Sequence, residues 1–437
     1  MMMRIVTFCV VWIMASPLWA MPEIQTLQSP KGVNAWLVED HNIPFVALEL
    51  RFIGGASIEP MEKRGGAALM TGLLEEGSGD MDAQAFATAR ENLAASFGYD
   101  VYQDALSVSA KMLTENRDQA VALLRQSLVT PRFDDDAVER VRAQILSILA
   151  SNEKDPNDIA STAFNRAAYP DHPYGSNYEG TPKTVAALTR QDLIDIHRTL
   201  LVTDRVIVSA VGDITADELG RLIDTLLDGL PAASDTPLPT DVQDQLSGGV
   251  KIIDFPIPQS VVLFGHSGIA QSDPDFFAAY ILNHILGGGG FESRLMTEVR
   301  EKRGLTYGIG TFLVGRDYSN LLMGQVSSSN DTVAQAIEVI LEEWRKMAET
   351  GVSEEELQAA KTYLTGAYPL RFDGNAPIAN ILVGMQRMGL SPDYVESRND
   401  RMNAVTLDDI NRVAKRLLQP DDLFFVVVGQ PLNLSEN

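Results

Sequence analysis

The sequence predicts an α+β protein of two homologous domains, each a mostly antiparallel sheet with helices packed on one face. Three observations predict it. The chain has 437 residues, a length that suits two domains of about 200 residues better than one core. Strand-like and helix-like runs are intermixed along it. The two flanks of a proline-rich stretch also align with each other.

That stretch, GLPAASDTPLPTDVQDQLSGG between Gly229 and Gly249, carries three prolines, small polar residues and a closing glycine pair. It reads as a linker over 231–249, between domains at 21–230 and 250–437. At an offset of 214 residues, Pro44 matches Pro258, Pro60 matches Pro274, Asn116 matches Asn330, Ala120 matches Ala334 and Ala122 matches Ala336. Near the ends, SAVGD around Gly212 echoes VVVGQ around Gly429 at an offset of 217. A shared order of elements at a fixed spacing is the mark of a duplicated unit.

Each copy opens on a strand, 45–53 in the first and 261–266 in the second. A helix-like apolar segment ending in glycine follows, 66–76 and 276–286. After another strand comes an amphipathic helix. Its second copy carries Val333, Ile337, Ile340, Trp344 and Met347 at spacings of three and four, behind an Asn330-Asp331 start. A helix over 353–364 and a final Val-rich strand complete the unit. No pattern points to a nucleotide fold.

Charge and the N-terminus narrow the function. Net charge is −24, from 59 acidic and 35 basic residues spread along the chain. Such a surface repels phosphate backbones and anionic lipid, which argues against nucleic-acid binding and stable membrane association. Residues 1–20 combine Arg4, an apolar run over 5–14 and a Ser16-Pro-Leu-Trp-Ala20 cleavage region. This reads as a signal peptide and places the mature chain in the periplasm. A retained N-terminal anchor is the alternative, and Leu18 is large for its place before the cut. The single cysteine, Cys9, lies within this leader, so the mature chain has no thiol chemistry.

The search for a self-contained active site returns absences. Gly287 to Gly290 lacks the GK[ST] ending of a phosphate loop and follows a helix instead of opening one. Gly265-His-Ser-Gly268 lacks the spacing of a serine nucleophile elbow. His41, His172, His197, His266 and His284 lie no closer than 18 residues apart, whereas two zinc ligands on one helical turn need a spacing of about four.

Two stretches carry a family resemblance: LGGGGFESRLMTEVREKRGLTYGI over 286–309, and DHPYGSNYEGTPKTVAALTRQDLIDIHRTLL over 171–201. With them the mature chain resembles the insulinase (pitrilysin) family of zinc metallopeptidases, in its smaller bacterial form akin to the mitochondrial processing peptidase. The resemblance implies two homologous α+β domains arranged as a clam shell. In that family a first-half helix carries HxxEH, two zinc-binding histidines and a glutamate base. The matching stretch here, GGAALMTGLLEEGSG, places Ala68, Thr71 and Gly72 at those positions. The family's further glutamate ligand would fall near Ser147 or Ile148. Ala and Gly offer no donor atoms and Thr cannot act as a base near neutral pH, and bringing in Glu75 or Glu76 by a register shift brings no histidine with it.

The resemblance also implies retained parts. Arg300 and Tyr307 match the second-domain pair that faces the zinc, the tyrosine binding the oxyanion and the arginine the peptide backbone. Without the resemblance, Tyr307 reads as a half-buried strand aromatic and Arg300 as a helix-end cation. Gly287, Gly288, Gly289 and Gly290 match a substrate-touching glycine-rich loop of the zinc-free processing-peptidase subunit, and the plainer reading is a helix cap and turn. The resemblance thus implies a non-catalytic subunit without metal of its own. A zinc-bearing sister subunit would complete it, and peptide or unfolded protein would be the substrate. The alternative is a non-proteolytic scaffold or peptide-binding pseudoenzyme.

Overall fold

The computed structural model describes residues 23–436, so the leader and Cys9 lie outside the described residues. In chain order the strands are β1 (Gln25–Gln28), β2 (Asn34–Glu39), β3 (Phe45–Ile53), β4 (Gly77–Ser78), β5 (Met81–Asp82), β6 (Ser96–Val101) and β7 (Ala105–Leu113). They continue as β8 (Val206–Gly212), β9 (Gly249–Asp254), β10 (Gln259–Ser267), β11 (Ile309–Gly315), β12 (Asn320–Ser329) and β13 (Phe424–Gly429). A six-stranded sheet is ordered β1-β2-β8-β3-β7-β6, a five-stranded sheet β11-β12-β10-β13-β9, and β4 and β5 form a separate hairpin.

Apart from β1, the two sheets have one topology. Each contains a single parallel pair, β2 with β8 and β9 with β13, and is otherwise antiparallel. Strands β3 and β10 begin 214 residues apart, at Phe45 and Gln259, each just after one of the aligned prolines. Gly212 and Gly429 end β8 and β13 at φ 131° and 154°. An added Cβ would come within 2.2 Å of Phe45 O at the first and 2.3 Å of Ser260 Oγ at the second, so both positions need glycine.

Alternate residues of the central strands serve two cores. Val46, Leu48, Leu50 and Phe52 join the first core with helices such as Arg117–Val129, Asp135–Asn152 and Ala216–Leu227. Val262, Phe264, Phe425 and Val427 join the second with Phe276–Asn283, Val333–Thr350 and Leu407–Leu417. The opposite faces are covered too, each by a helix from the other half. Helix Asn375–Arg387 lays Ile378, Ala379, Leu382 and Met385 on Trp36, Val38, Ala47 and Val211 of the first sheet. Helix Pro156–Ala168 lays Ala160, Phe164 and Ala168 on Leu321, Met323, Val426 and Val428 of the second. With both faces buried, β13 reads as a continuous apolar run, and β3 does so apart from Glu49 and Arg51, which pair at 2.9 Å.

Polar contacts fix this exchange. Ser209 Oγ donates to Ala379 O at 2.6 Å, and Gln386 Nε2 to Val208 O at 2.8 Å. Asp104, buried in the β6–β7 turn, accepts from Tyr174 Oη at 2.7 Å, the Asp317 amide at 3.2 Å and Arg387 Nη2 at 3.3 Å. The 231–248 segment forms no helix or strand. It is strapped to both halves nonetheless, through Arg205 Nη2 to Thr236 O at 2.8 Å and the Val242 amide to Tyr318 O at 2.8 Å.

Several helix limits differ from the sequence reading. The segment predicted over 66–76 is helical only over Gly66–Gly72, because residues 73–76 turn toward Gly77, whose φ is 117°. The helix expected to start at Asn330-Asp331 runs Val333–Thr350, without a side-chain cap. Asn330 instead accepts from Ser260 Oγ at 2.7 Å and donates to Ile257 O at 2.8 Å, bracing the start of β10.

Helix Gly66–Gly72 begins on a buried carboxylate. Glu59 accepts from the Ala67 amide through Oε1, while Oε2 has no hydrogen-bond partner among the described residues and lies 3.7 Å from Arg64 Nη1. The Arg64 guanidinium is engaged by Ser176 Oγ at 2.9 Å and Pro173 O at 3.0 Å. Burial pushes the Glu59 carboxyl up to about 7.

Two outcomes follow. Leu382→Ala, in the second half of the chain, should lower stability by about 3 kcal/mol; in urea, Trp36 on the first sheet should report the loss in the same single transition as the rest of the chain. For Glu59, the folded state holds the proton more tightly than the unfolded one, so its stability contribution is complete below pH 4.5 and lost as pH rises through about 7. Glu59→Gln should therefore gain on the wild type by on the order of 2 kcal/mol between pH 5 and pH 8, read from urea midpoints at the two pH values.

Candidate functional site

The first half offers no metal site at the expected place. On helix Gly66–Gly72, Ala68 is half-buried, Thr71 is buried with no hydrogen-bond partner for Oγ1 among the described residues, and Gly72 is exposed. A Cβ added at Gly72 would stand 2.9 Å from Val141 Cγ1 of a neighbouring helix. Ser147 and Ile148 are exposed on that same helix, Asp135–Asn152, and bring no carboxylate. These residues do not fit zinc: the histidine and carboxylate donors are missing.

The histidines are held in other ways. His41 Nδ1 pairs with Asp213 at 2.6 Å, and His197 Nε2 bonds Leu128 O at 2.7 Å. His266 accepts from Trp344 Nε1 at 3.0 Å, and burial holds its pKa below the usual value. His172 lies edge-on to Tyr174 at 4.5 Å, and His284 stacks on Tyr363 at 5.1 Å. Among the described residues no group of three His, Cys, Asp or Glu is placed to hold a metal ion.

The second half presents a different arrangement. Helix Phe276–Asn283 passes into a π turn, His284–Gly288, and a 3₁₀ turn, Gly290–Glu292, before a second π turn over Met296–Glu301. The four glycines are therefore folded into turns. Gly287 is buried against β11, where a Cβ would lie 2.5 Å from Thr311 Oγ1. Gly288 and Gly290 are exposed, and Gly290 has φ 60°. Any contact of the run with a ligand falls to Gly288, Gly289 and Gly290.

Arg300 lies at the end of the second π turn and Tyr307 just before β11. Tyr307 is 83% exposed, not a half-buried strand aromatic, and its hydroxyl makes no hydrogen bond to the described residues. The Arg300 guanidinium makes no hydrogen bond or ion pair to them either, and sits 4.6 Å from the centroid of the Phe291 ring. Its neighbours differ: Lys302 Nζ and Arg303 Nη1 both bind Glu298, at 2.6 and 2.7 Å. Those two cations hold the Glu298 carboxyl below its ordinary pKa.

An unengaged guanidinium and an unengaged phenol can donate hydrogen bonds to a carbonyl or oxyanion. They cannot activate water. No hydrogen bond, ion pair or ring contact joins either to helix Gly66–Gly72 among the described residues. Phe291 escaped the sequence reading, although a large aromatic directly after four glycines was a visible signal. A groove of about 1000 Å³ opens between outer helices of the first half, lined by Lys31, Leu93, Leu123 and Arg125, and none of these residues is among those picked out above.

Comparison with known proteins agrees with this picture. Residues 35–182 match the family profile described as Insulinase (Peptidase family M16), and 187–364 that described as Peptidase M16 inactive domain. The chain is 25% identical over 393 residues to the non-peptidase homolog YmxG of Helicobacter pylori, covering 90% of each. It is 24% identical over 392 residues to the mitochondrial-processing peptidase subunit beta of Neurospora crassa, covering 86% of this chain and 81% of that one. A crystal structure of a peptidase M16 inactive domain from Pseudomonas fluorescens superposes with a TM-score of 0.88 at 26% identity, covering 94% of this chain and 99% of that one. With its family's fold complete and no metal donors on the helix that should carry them, this chain belongs to the insulinase family, peptidase family M16, as a non-catalytic member.

Proposed function

We propose that this chain is the non-catalytic subunit of a heterodimeric, exported zinc peptidase acting in the periplasm. A sister subunit of the same family supplies the zinc and its HxxEH helix. This chain supplies Arg300 to hold the peptide backbone and Tyr307 to donate to the oxyanion of the tetrahedral intermediate. Peptides or unfolded proteins are the substrates, entering as extended strands along a sheet edge. The supporting observation is that these two side chains, on a strongly acidic protein, make no hydrogen bond or ion pair to the described residues while the cations beside Arg300 are paired. The leader supports export, and the relative that is itself a peptidase subunit supports a two-chain assembly. The name of the Helicobacter relative favours a second reading, a scaffold that holds a complex without proteolysis.

Native mass spectrometry of the complex recovered through a C-terminal tag on this chain should show a second polypeptide and one zinc. A zinc-free monomer or homodimer would leave the scaffold reading. Arg300→Ala and Tyr307→Phe should each lower kcat/KM of the assembled complex on β-casein by about 100-fold. Unchanged hydrolysis in both variants would refute the proposed roles.

A further inference from the structure

Arg300 is unusual among the arginines of its neighbourhood for what it lacks. A guanidinium on a protein of net charge −24 is easily captured by a carboxylate. Glu292, Glu298 and Glu301 all lie within ten residues of it in sequence, yet no hydrogen bond or ion pair to any of them is formed. Glu298 is neutralised from the other side by Lys302 and Arg303. What Arg300 has instead is the face of Phe291, at 4.6 Å.

The placement of Phe291 does not come from core packing, for it is 65% exposed. It comes from the backbone. Gly290, at φ 60° with open space around its Cβ position, starts the turn Gly290–Glu292. Ser293, almost fully buried, closes it by donating to Gly290 O from Oγ at 2.8 Å and from its amide at 3.2 Å. The ring is thus carried on a pinned turn, and the π turn Met296–Glu301 carries Arg300 over it. A guanidinium stacked on an aromatic face keeps its charge and its N–H edges available for a planar acceptor.

We propose that Phe291 is a positioning residue for Arg300: a platform that holds the guanidinium away from carboxylates and presents its N–H edges to the backbone carbonyls of a bound peptide. This rests on the substrate-facing role of Arg300 given above. The last glycine of the run acquires a purpose as well, since it lets the chain turn sharply enough to set the ring beneath the arginine.

Two measurements test it. On the purified chain, with arginine labelled with ¹³C and ¹⁵N, the Arg300 side-chain protons should resonate upfield through the ring current of Phe291. Phe291→Ala should remove that shift and Phe291→Tyr keep it; a shift unaffected by Phe291→Ala overturns the stacking. On the tagged complex with β-casein, Phe291→Ala should lower kcat/KM about fivefold and Phe291→Tyr should restore most of it. In an Arg300→Ala background, Phe291→Ala should cost nothing further. Multiplying losses in the double variant would show two independent residues and overturn the positioning role. An upfield Arg300 signal together with an Arg300→Ala variant of full activity would instead refute the substrate-facing reading, and with it the purpose of the platform.

Discussion

The fold depends on how two sheets bury their second faces. Each half covers one face of its sheet with its own helices, and the apolar side chains of the other face must also leave water. Trp36, Val38, Ala47 and Val211 meet helix Asn375–Arg387, while Leu321, Met323, Val426 and Val428 meet helix Pro156–Ala168. Neither half is complete without the other. A charged network also joins the halves at the junction: buried Asp104 meets Arg387 and the Asp317 amide, and Arg387, still open to solvent, also binds the Asp317 carboxylate at 2.7 Å.

This frame carries both helix Gly66–Gly72 in the first half and the turns around Arg300 in the second. In the first half, helix Gly66–Gly72 starts on the buried Glu59 and carries no histidine or carboxylate. Ala68 and Gly72 have no donors. In the second half a run of turns keeps a cation and a phenol unengaged at the surface.

Much of this was legible in the sequence. Strand 45–53 coincides with β3, and Pro44 and Pro258 stand immediately before equivalent strands. Helix ends were less legible. Asn330 looked like a cap but braces β10, because its side chain, just past the end of neighbouring β12, bonds Ser260 and Ile257. The four glycines read either as a substrate-touching loop or as a helix cap and turn; they lie in turns after the helix, with Gly287 pressed against Thr311. Phe291 was hidden because its partner, Arg300, is reached only through two intervening turns.

The sequence by itself determined the duplication, the strands and the missing metal donors. These are properties of residue type and spacing, which local sterics and side-chain chemistry decide. Only the tertiary structure decided which sheet each exchanged helix covers, since an apolar helix face reads the same whichever surface it meets. It alone paired Asp104 with Arg387, which lie 283 residues apart. It alone showed that Arg300 rests on an aromatic ring and not on one of the nearby glutamates. That choice is made by backbone turns and competing charges in three dimensions, which no linear spacing encodes.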